Sequence, residues 1–459
     1  MSSHRWAPAL LASTLFLPSL ANAASDAELT EIREQIKQLK DNYEARIRAL
    51  EERLKAAEAN AAAPAAVVPA APAAATASGY ASSMLAAFNP GVSVILQGNY
   101  QSLSKDPGQY GFNNVQLGDE VLPGRRGLGL GESEITFFAN VDHLFAGSLT
   151  VSLAPDNSVE VEEAYGVATA LPYGILPKFG RFFSGIGYMN EQHQHVWDFQ
   201  DAPLVYQAFL GGQFAQDGAQ VKWVAPTDTF VEFGAEIGNG DAFPGSFRNS
   251  NGAGAWSLFA HTGGDIGAKS SWRAGVSYLK TRATDRTGKQ PDTAGNIAQT
   301  SFAGDARTTI ADFIWKYAPT GNARDTNVKL QGEYFWQRAS GDLTYDSDGT
   351  LGLTNTDAYR ASQSGFYLQG VWQFMPMWRA GLRYDRLNPG TPSYGTNSDF
   401  LATDPFHPQK WTAMVDWTPS EFSRFRIQYA QNKERPSFTD NEFFIQYILT
   451  LGAHSAHKF

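Results

Sequence analysis

The chain of 459 residues contains no cysteine, which excludes disulfides and thiolate metal centres. Charge is sparse: Asp, Glu, Lys and Arg make up 18% of the residues, with 36 basic against 46 acidic side chains and a formal charge of −10. An acidic balance of this kind argues against nucleic acid as a partner. No apolar run of bilayer length follows Ala23, so a membrane-spanning helix is not expected in the mature chain. The stretch at 61–77 looks apolar, but Pro64, Pro69 and Pro72 forbid a continuous helix there. No Ser-His or Asp-His constellation stands out either, so no catalytic residue is assigned, and neither an enzyme nor a bound cofactor is expected.

What is present is aromatic mass and glycine: aromatics reach 13%, and 43 glycines are spread along the chain. Many aromatics with few charges suit an all-β protein with exposed rings better than a soluble helical enzyme.

The first residues have the layout of a secretory signal: Arg5, an apolar stretch from Ala7 to Leu20, and the small-x-small site Ala21-Asn22-Ala23. Residues 1–23 are therefore read as a signal peptide. Over 24–58, apolar residues fall at Leu29, Ile32, Ile36, Leu39, Tyr43, Ile47, Leu50 and Leu54. Steps of three and four make a heptad seam, with a stutter after Tyr43. A self-associating coiled coil is expected, and the mixed Ile and Leu seam does not set the strand number. Residues 59–87 are rich in alanine and proline and read as a semi-extended linker.

From 88 to 459 the pattern becomes strand-like. In "WTAMVDW", Trp411, Ala413, Val415 and Trp417 point one way and Thr412, Met414 and Asp416 the other. "SRFRIQYAQN" sets Phe425, Ile427 and Tyr429 against Arg424, Arg426 and Gln428, and "NVKLQGEYFWQ" behaves likewise. Period two with one charged face is strand geometry. Sixteen such blocks occur. The connections tend to alternate: short ones such as "APTD" and "MPM", and long ones at 102–131, 184–216, 239–253, 282–306, 338–362 and 388–408. An even strand count with short turns on one rim predicts a sixteen-stranded antiparallel transmembrane β-barrel in a bacterial outer membrane, with the coiled coil in the periplasm. Trp336 and Trp411 then mark the outer interface, and Trp223, Trp272, Trp315, Trp378 and Trp417 the inner one.

The inward positions segregate by sign. Early strands place Glu132, Glu134, Glu160, Glu162, Glu232 and Glu236 inside. Later strands place Lys329, Arg379, Arg383, Lys410, Arg424 and Arg426 there, with Asp385 and Asp416 as a minority. A low-dielectric wall focuses the field between such surfaces. The third long connection contains "NEQHQHVWDFQDAP" amid Tyr188, Trp197, Phe199, Tyr206 and Phe209, too much apolar mass for a loop in water. It is expected to fold into the barrel as a constriction, with Glu191, His193, His195, Asp198 and Asp201 in it. Glu191, Asp198 and Asp201 would face the arginines of the last strands across an eyelet.

This arrangement resembles the sixteen-stranded outer-membrane porins, whose third loop forms the constriction. The run from "VEVEEAYGVA" through "LPKFGRFFSGIGYMNEQHQHVWDF" resembles phosphate-selective porins of the O/P type. A coiled coil ahead of such a barrel is similar to the DcaP-like diffusion porins, which are trimeric. By that resemblance, Glu191 to Asp201 map onto the constriction loop and Arg379, Arg383, Arg424 and Arg426 onto a basic wall. The third loop has no dense lysine or arginine ladder, so the resemblance does not extend to phosphate specificity. The terminal aromatic Phe459 fits the family, whereas Ser455 and His457 depart from its apolar alternation.

The expectation is a homotrimeric diffusion porin, bounded by outer-membrane lipid, for small hydrophilic solutes with a mild preference for anions such as carboxylates. Two alternatives stand beside it. His193 and His195, two apart, would point the same way on a strand and chelate with Glu191 or Asp198. That would suit a metal-regulated component binding or passing zinc-type ions. Spacing fixes no third ligand, so no metal is assigned. The coiled coil would also serve as a structural tether reaching peptidoglycan or another periplasmic partner, since 26 helical residues span ~39 Å.

Overall fold

The computed structural model of the chain describes residues 91–118, 121, 123–155 and 157–452, together with Lys37. Apart from Lys37, the expected signal, coiled coil and linker lie outside these residues, as do Ser455, His457 and Phe459.

The described residues form sixteen strands. The first eight are β1 (Gly91–Leu103), β2 (Gly127–Leu130 and Ser133–Asn140), β3 (Phe145–Leu153), β4 (Val159–Ala168), β5 (Ile175–Phe183), β6 (Ala215–Val224), β7 (Phe230–Gly238) and β8 (Ala255–Ile266). The rest are β9 (Ser270–Pro291), β10 (Ile297–Tyr317), β11 (Asn327–Tyr345), β12 (Asn355–Met375), β13 (Trp378–Asn388), β14 (Gln409–Ser420), β15 (Ser423–Arg435) and β16 (Phe438–Gly452). Each pairs antiparallel with its neighbour in sequence. β1 pairs with both β2 (Ile95 opposite Glu134) and β16 (Gly98 opposite Tyr447), so the sheet closes on itself. Closure leaves the sheet without an edge strand, as a bilayer demands of a β-structure. All sixteen blocks of alternation are strands.

The alternation sets which face is outside. Trp411 and Val415 are exposed at 49% and 44%, while Thr412 and Asp416, the residue after each, are fully covered. The exposed face is apolar along most of its height, the face that lipid would cover. Its aromatics form two bands. Near the short turns, Trp223 stacks on Phe233 at 5.9 Å, Trp378 on Trp417 at 5.9 Å and Trp417 on Phe425 at 5.5 Å. At the other level, Tyr334 meets Trp336 at 4.2 Å and Tyr384 meets Trp411 at 4.4 Å. Indole and phenol rings favour the two interfaces, where an apolar body and a polar tip are both satisfied.

Two expected long loops turn out to be strand. The connections at 282–306 and 338–362 narrow to 292–296 and 346–354, because β9 to β12 run on as hairpins. Trp336 therefore lies well inside β11. The alternation there continues with small and polar residues, which reads as loop when only the apolar rhythm is followed.

The interior is packed. Tyr110, Phe112, Val115 and Leu117 of the first long connection are buried against the third, and both lie against Leu279, Ile310, Phe335 and Tyr367 of the wall. A buried side chain of this size contributes about 1.5–3 kcal/mol. A second cluster holds Phe302, Leu343, Tyr359, Tyr394 and Leu401, where the 389–408 connection folds between the long hairpins.

Candidate constriction site

The third long connection, residues 184–214, crosses the inside of the barrel. Its neck is closed by Asn190, which is fully buried. The Asn190 amide donates to the carbonyls of Ser184 (2.8 Å) and Phe214 (2.9 Å), and its oxygen accepts the Phe214 N–H (2.8 Å). Glu333 of β11, on the far wall, accepts the N–H groups of Tyr188 and Met189 at 3.1 Å each and the hydroxyls of Tyr206 (2.9 Å) and Tyr367 (2.7 Å). Gly187 faces this carboxylate at φ +67°, a backbone and a clearance that suit glycine. The helix α1 (Leu204–Leu210) follows, every residue buried, with its first N–H donating to Asp385 Oδ1 (3.0 Å) and Gly211 in the left-handed conformation ending it.

The loop's charged side chains divide between two walls. His193 and His195 go to the acidic one. His193 Nδ1 lies 3.0 Å from Glu162 and 3.3 Å from Glu134, and its Nε2 lies 3.0 Å from Glu163. His195 Nδ1 is 2.9 Å from the other oxygen of Glu134, and the two imidazoles stack at 5.7 Å. Burial alone would lower the His193 pKa, but the hydrogen bonds to Glu134, Glu162 and Glu163 outweigh it and hold it well above the usual histidine range.

Asp198 and Asp201 go to the basic wall. Asp198 pairs with Lys329 and with Arg379 (3.2 Å) and accepts from Gln369 (2.9 Å). Asp201 pairs with Arg383 (2.8 Å) and Lys410 (2.9 Å) and accepts from Gln428 (2.7 Å). Burial pushes both carboxyls up, but the adjacent cations more than reverse this and hold them below the ordinary carboxylate range. Behind them Arg383 also binds Asp385 (2.9 Å), Lys410 binds Glu442 (2.5 Å), and Asp416 sits between Arg379 and Arg426 (2.8 Å). Arg426 donates to the Trp197 carbonyl at 2.8 Å. Arg424 donates only to main-chain carbonyls, those of His195 (3.1 Å) and Trp197 (3.4 Å), and has no carboxylate partner among the described residues.

This geometry corrects the expected eyelet. Asp198 and Asp201 are in direct contact with the basic wall, not facing it across a gap. Glu191 is not aimed at the arginines at all: it pairs with Lys222 of β6 at 2.5 Å. Of the expected acidic row, Glu236 accepts from Gly185 (2.8 Å), Gln220 (2.6 Å) and Ser257 (2.6 Å) and anchors the start of the loop, while Glu232 holds His261 (3.0 Å).

Asn190, Glu333, Lys222 and Glu163 escaped the sequence reading. Glu163 was hidden by a bulge: Thr150 pairs with Glu163 and Val151 with Val161, which leaves Glu162 as an extra residue and turns two adjacent glutamates inward.

An uncharacterized protein of Aquifex aeolicus (strain VF5) is 31% identical over 407 residues, covering 81% of this chain and 80% of the relative. The chain belongs to the family of that Aquifex protein. No family model matches the sequence. Among solved structures, OmpT of Vibrio cholerae aligns at 14% identity with a TM-score of 0.48, over 79% of this chain and 99% of that one. The outer membrane channel DcaP of Acinetobacter baumannii aligns at 12% and 0.46, over 79% and 97%. An anion-selective porin from Comamonas acidovorans aligns at 10% and 0.48, over 79% and 99%. Likenesses this distant say nothing of what members of the family carry. The architecture of this member is nevertheless plain from its own strands. It is a sixteen-stranded antiparallel barrel, closed between β1 and β16, with the third loop folded inside.

Proposed function

We propose that the protein is a passive diffusion channel of the bacterial outer membrane for small hydrophilic solutes, with a mild preference for anions such as carboxylates. The observation that carries this reading is the division of the lumen by a loop bound to an acidic wall on one side and a basic wall on the other. A solute passing the loop would experience a transverse field that orients its dipole, in an enclosure where fields are weakly screened.

The anion preference rests on the basic side. Five carboxylates (Asp198, Asp201, Asp385, Asp416 and Glu442) face Lys329, Arg379, Arg383, Lys410, Arg424 and Arg426 there, leaving a small cationic surplus. Arg424 carries that surplus, its partners among the described residues being main-chain carbonyls. A surplus of one charge supports a bias, not strict selectivity. Assembly as a trimer, with the expected coiled coil of 24–58 in the periplasm, belongs to the same proposal; the heptad seam supports self-association without setting the number of chains.

Swelling of proteoliposomes in iso-osmotic solutes tests the reading. Small sugars and small carboxylates should enter, with the carboxylates faster than neutral solutes of equal size. Vesicles that do not swell in any small solute would contradict a diffusion channel.

A further inference from the structure

One corner of the acidic wall brings more carboxylates to His193 than its ring has N–H groups. An imidazolium has two N–H groups. His193 offers them to three carboxylates: Glu163 on Nε2 at 3.0 Å, and Glu162 and Glu134 together on Nδ1 at 3.0 and 3.3 Å. A single N–H cannot point well at two oxygens, so Nδ1 is shared between Glu162 and Glu134.

We propose that His193 Nδ1, Glu134 and Glu162 bind a divalent transition-metal ion of the zinc type. The three ligand atoms lie within 4.8 Å of one another. Zinc bonds to nitrogen and oxygen are ~2.0–2.2 Å long, so neighbouring donors in a tetrahedral shell sit roughly 3.3 Å apart. The separations of 3.0 and 3.3 Å from Nδ1 already match that edge. The third edge, between the Glu134 and Glu162 oxygens, lies within 4.8 Å, so an ion in place of the shared proton would draw these two together.

A second feature points the same way. Histidines that ligate metals generally donate their other ring N–H to a carboxylate, which fixes the tautomer and the ring plane. Glu163 stands 3.0 Å from Nε2 in that role. The free oxygen of Glu134 is held in turn by His195 at 2.9 Å. The bulge at Glu162 is what makes the set possible, since regular alternation would turn one of the two neighbouring glutamates out of the barrel. One nitrogen with two carboxylate oxygens suits zinc or a similar ion and not magnesium, which prefers an all-oxygen octahedron. His193 retains 20% exposure of its side chain, enough for an ion to reach it from the lumen. Such an ion would pin the constriction loop to β2 and β4.

The test is zinc binding by the full-length protein in detergent, stripped with a chelator and then titrated with Zn²⁺ while bound metal is counted by elemental analysis. One equivalent per chain should bind, magnesium in large excess should not displace it, and His193→Ala and Glu162→Gln should each weaken binding at least tenfold. Glu160→Gln, on the same strand but outside the set, should leave it unchanged. Strand content by circular dichroism checks that each variant is folded. X-ray absorption of the zinc-loaded unmodified protein gives a readout that needs no variant, and should show one imidazole and carboxylate oxygens at ~2.0–2.1 Å. Absence of stoichiometric binding, binding that survives His193→Ala, or a shell of oxygen alone would overturn the proposal.

Discussion

His193 and Asp198, five residues apart in one loop, are bound to different walls of the barrel: His193 lies 3.0 Å from Glu162 of β4, and Asp198 lies 3.2 Å from Arg379 of β13. A single short segment thus ties the acidic side of the lumen to the basic side. Charge of each sign in the loop is matched to the opposite sign in the wall.

Asn190→Ala should loosen the loop at its neck. The change removes three hydrogen bonds to the main chain and leaves buried polar groups unpartnered, each worth about 1–3 kcal/mol. Limited proteolysis should then cut within 188–214 in the variant before the parent is cut. Equal resistance of the two proteins would show that the apolar packing of α1 holds the loop unaided.

The two aspartates should differ in what their loss costs. Asp201 binds Arg383 and Lys410, which are 1% and 3% exposed, whereas Lys329 and Arg379 beside Asp198 are 20% and 22% exposed. A buried cation stripped of every partner costs about 3–5 kcal/mol, and Arg383 and Lys410, which keep Asp385 and Glu442, would lose part of that. A half-hydrated one costs less, since water replaces part of the lost interaction. Asp201→Asn should therefore lower the unfolding temperature more than Asp198→Asn. The reverse order would mean that the wall carboxylates Asp385 and Glu442 already satisfy Arg383 and Lys410.

Acid should release the loop from the basic wall. The folded-state pKa values of Asp198 and Asp201 are depressed, so their contribution is fully present above the ordinary carboxylate value of ~3.9 and is lost as pH falls through the folded values. Hydrogen exchange of the 195–210 backbone should stay slow down to about pH 4 and accelerate below it. Flat exchange to pH 2 in the parent, or an identical acid response in an Asp198→Asn and Asp201→Asn double variant, would refute the assignment.

Much of this was legible in the sequence, and the failures have physical causes. Strand positions follow from period two, and that signal survives because each strand has one apolar outer face and one polar inner face. The apolar mass around Tyr206 and Phe209 announced a loop folded inwards. The hairpin extensions of β9 to β12 were missed because strands above a membrane have no lipid face to make them apolar. Glu163 was missed because a bulge breaks parity. Glu191 was misdirected because its partner, Lys222, stands on β6, the strand that follows the loop, where the loop folds back on its own neighbour.

Arg424 and Arg426, neighbours on β15 with the same inward parity, should separate in function. Arg426 is buried between Asp416 and the Trp197 carbonyl, so Arg426→Gln should cost stability. Arg424 lacks a carboxylate partner among the described residues, so Arg424→Gln should spare stability and reduce anion permeability. Equal loss of stability in both would make Arg424 a structural brace for the loop.

The most direct test of the whole account is the reversal potential of single channels in a planar bilayer across a potassium chloride gradient. Discrete conductance steps reversing towards the chloride potential, and moving back towards zero in Arg424→Gln, are the predicted result. Absence of conductance, or reversal towards the potassium potential, would contradict a diffusion channel whose basic wall sets its preference.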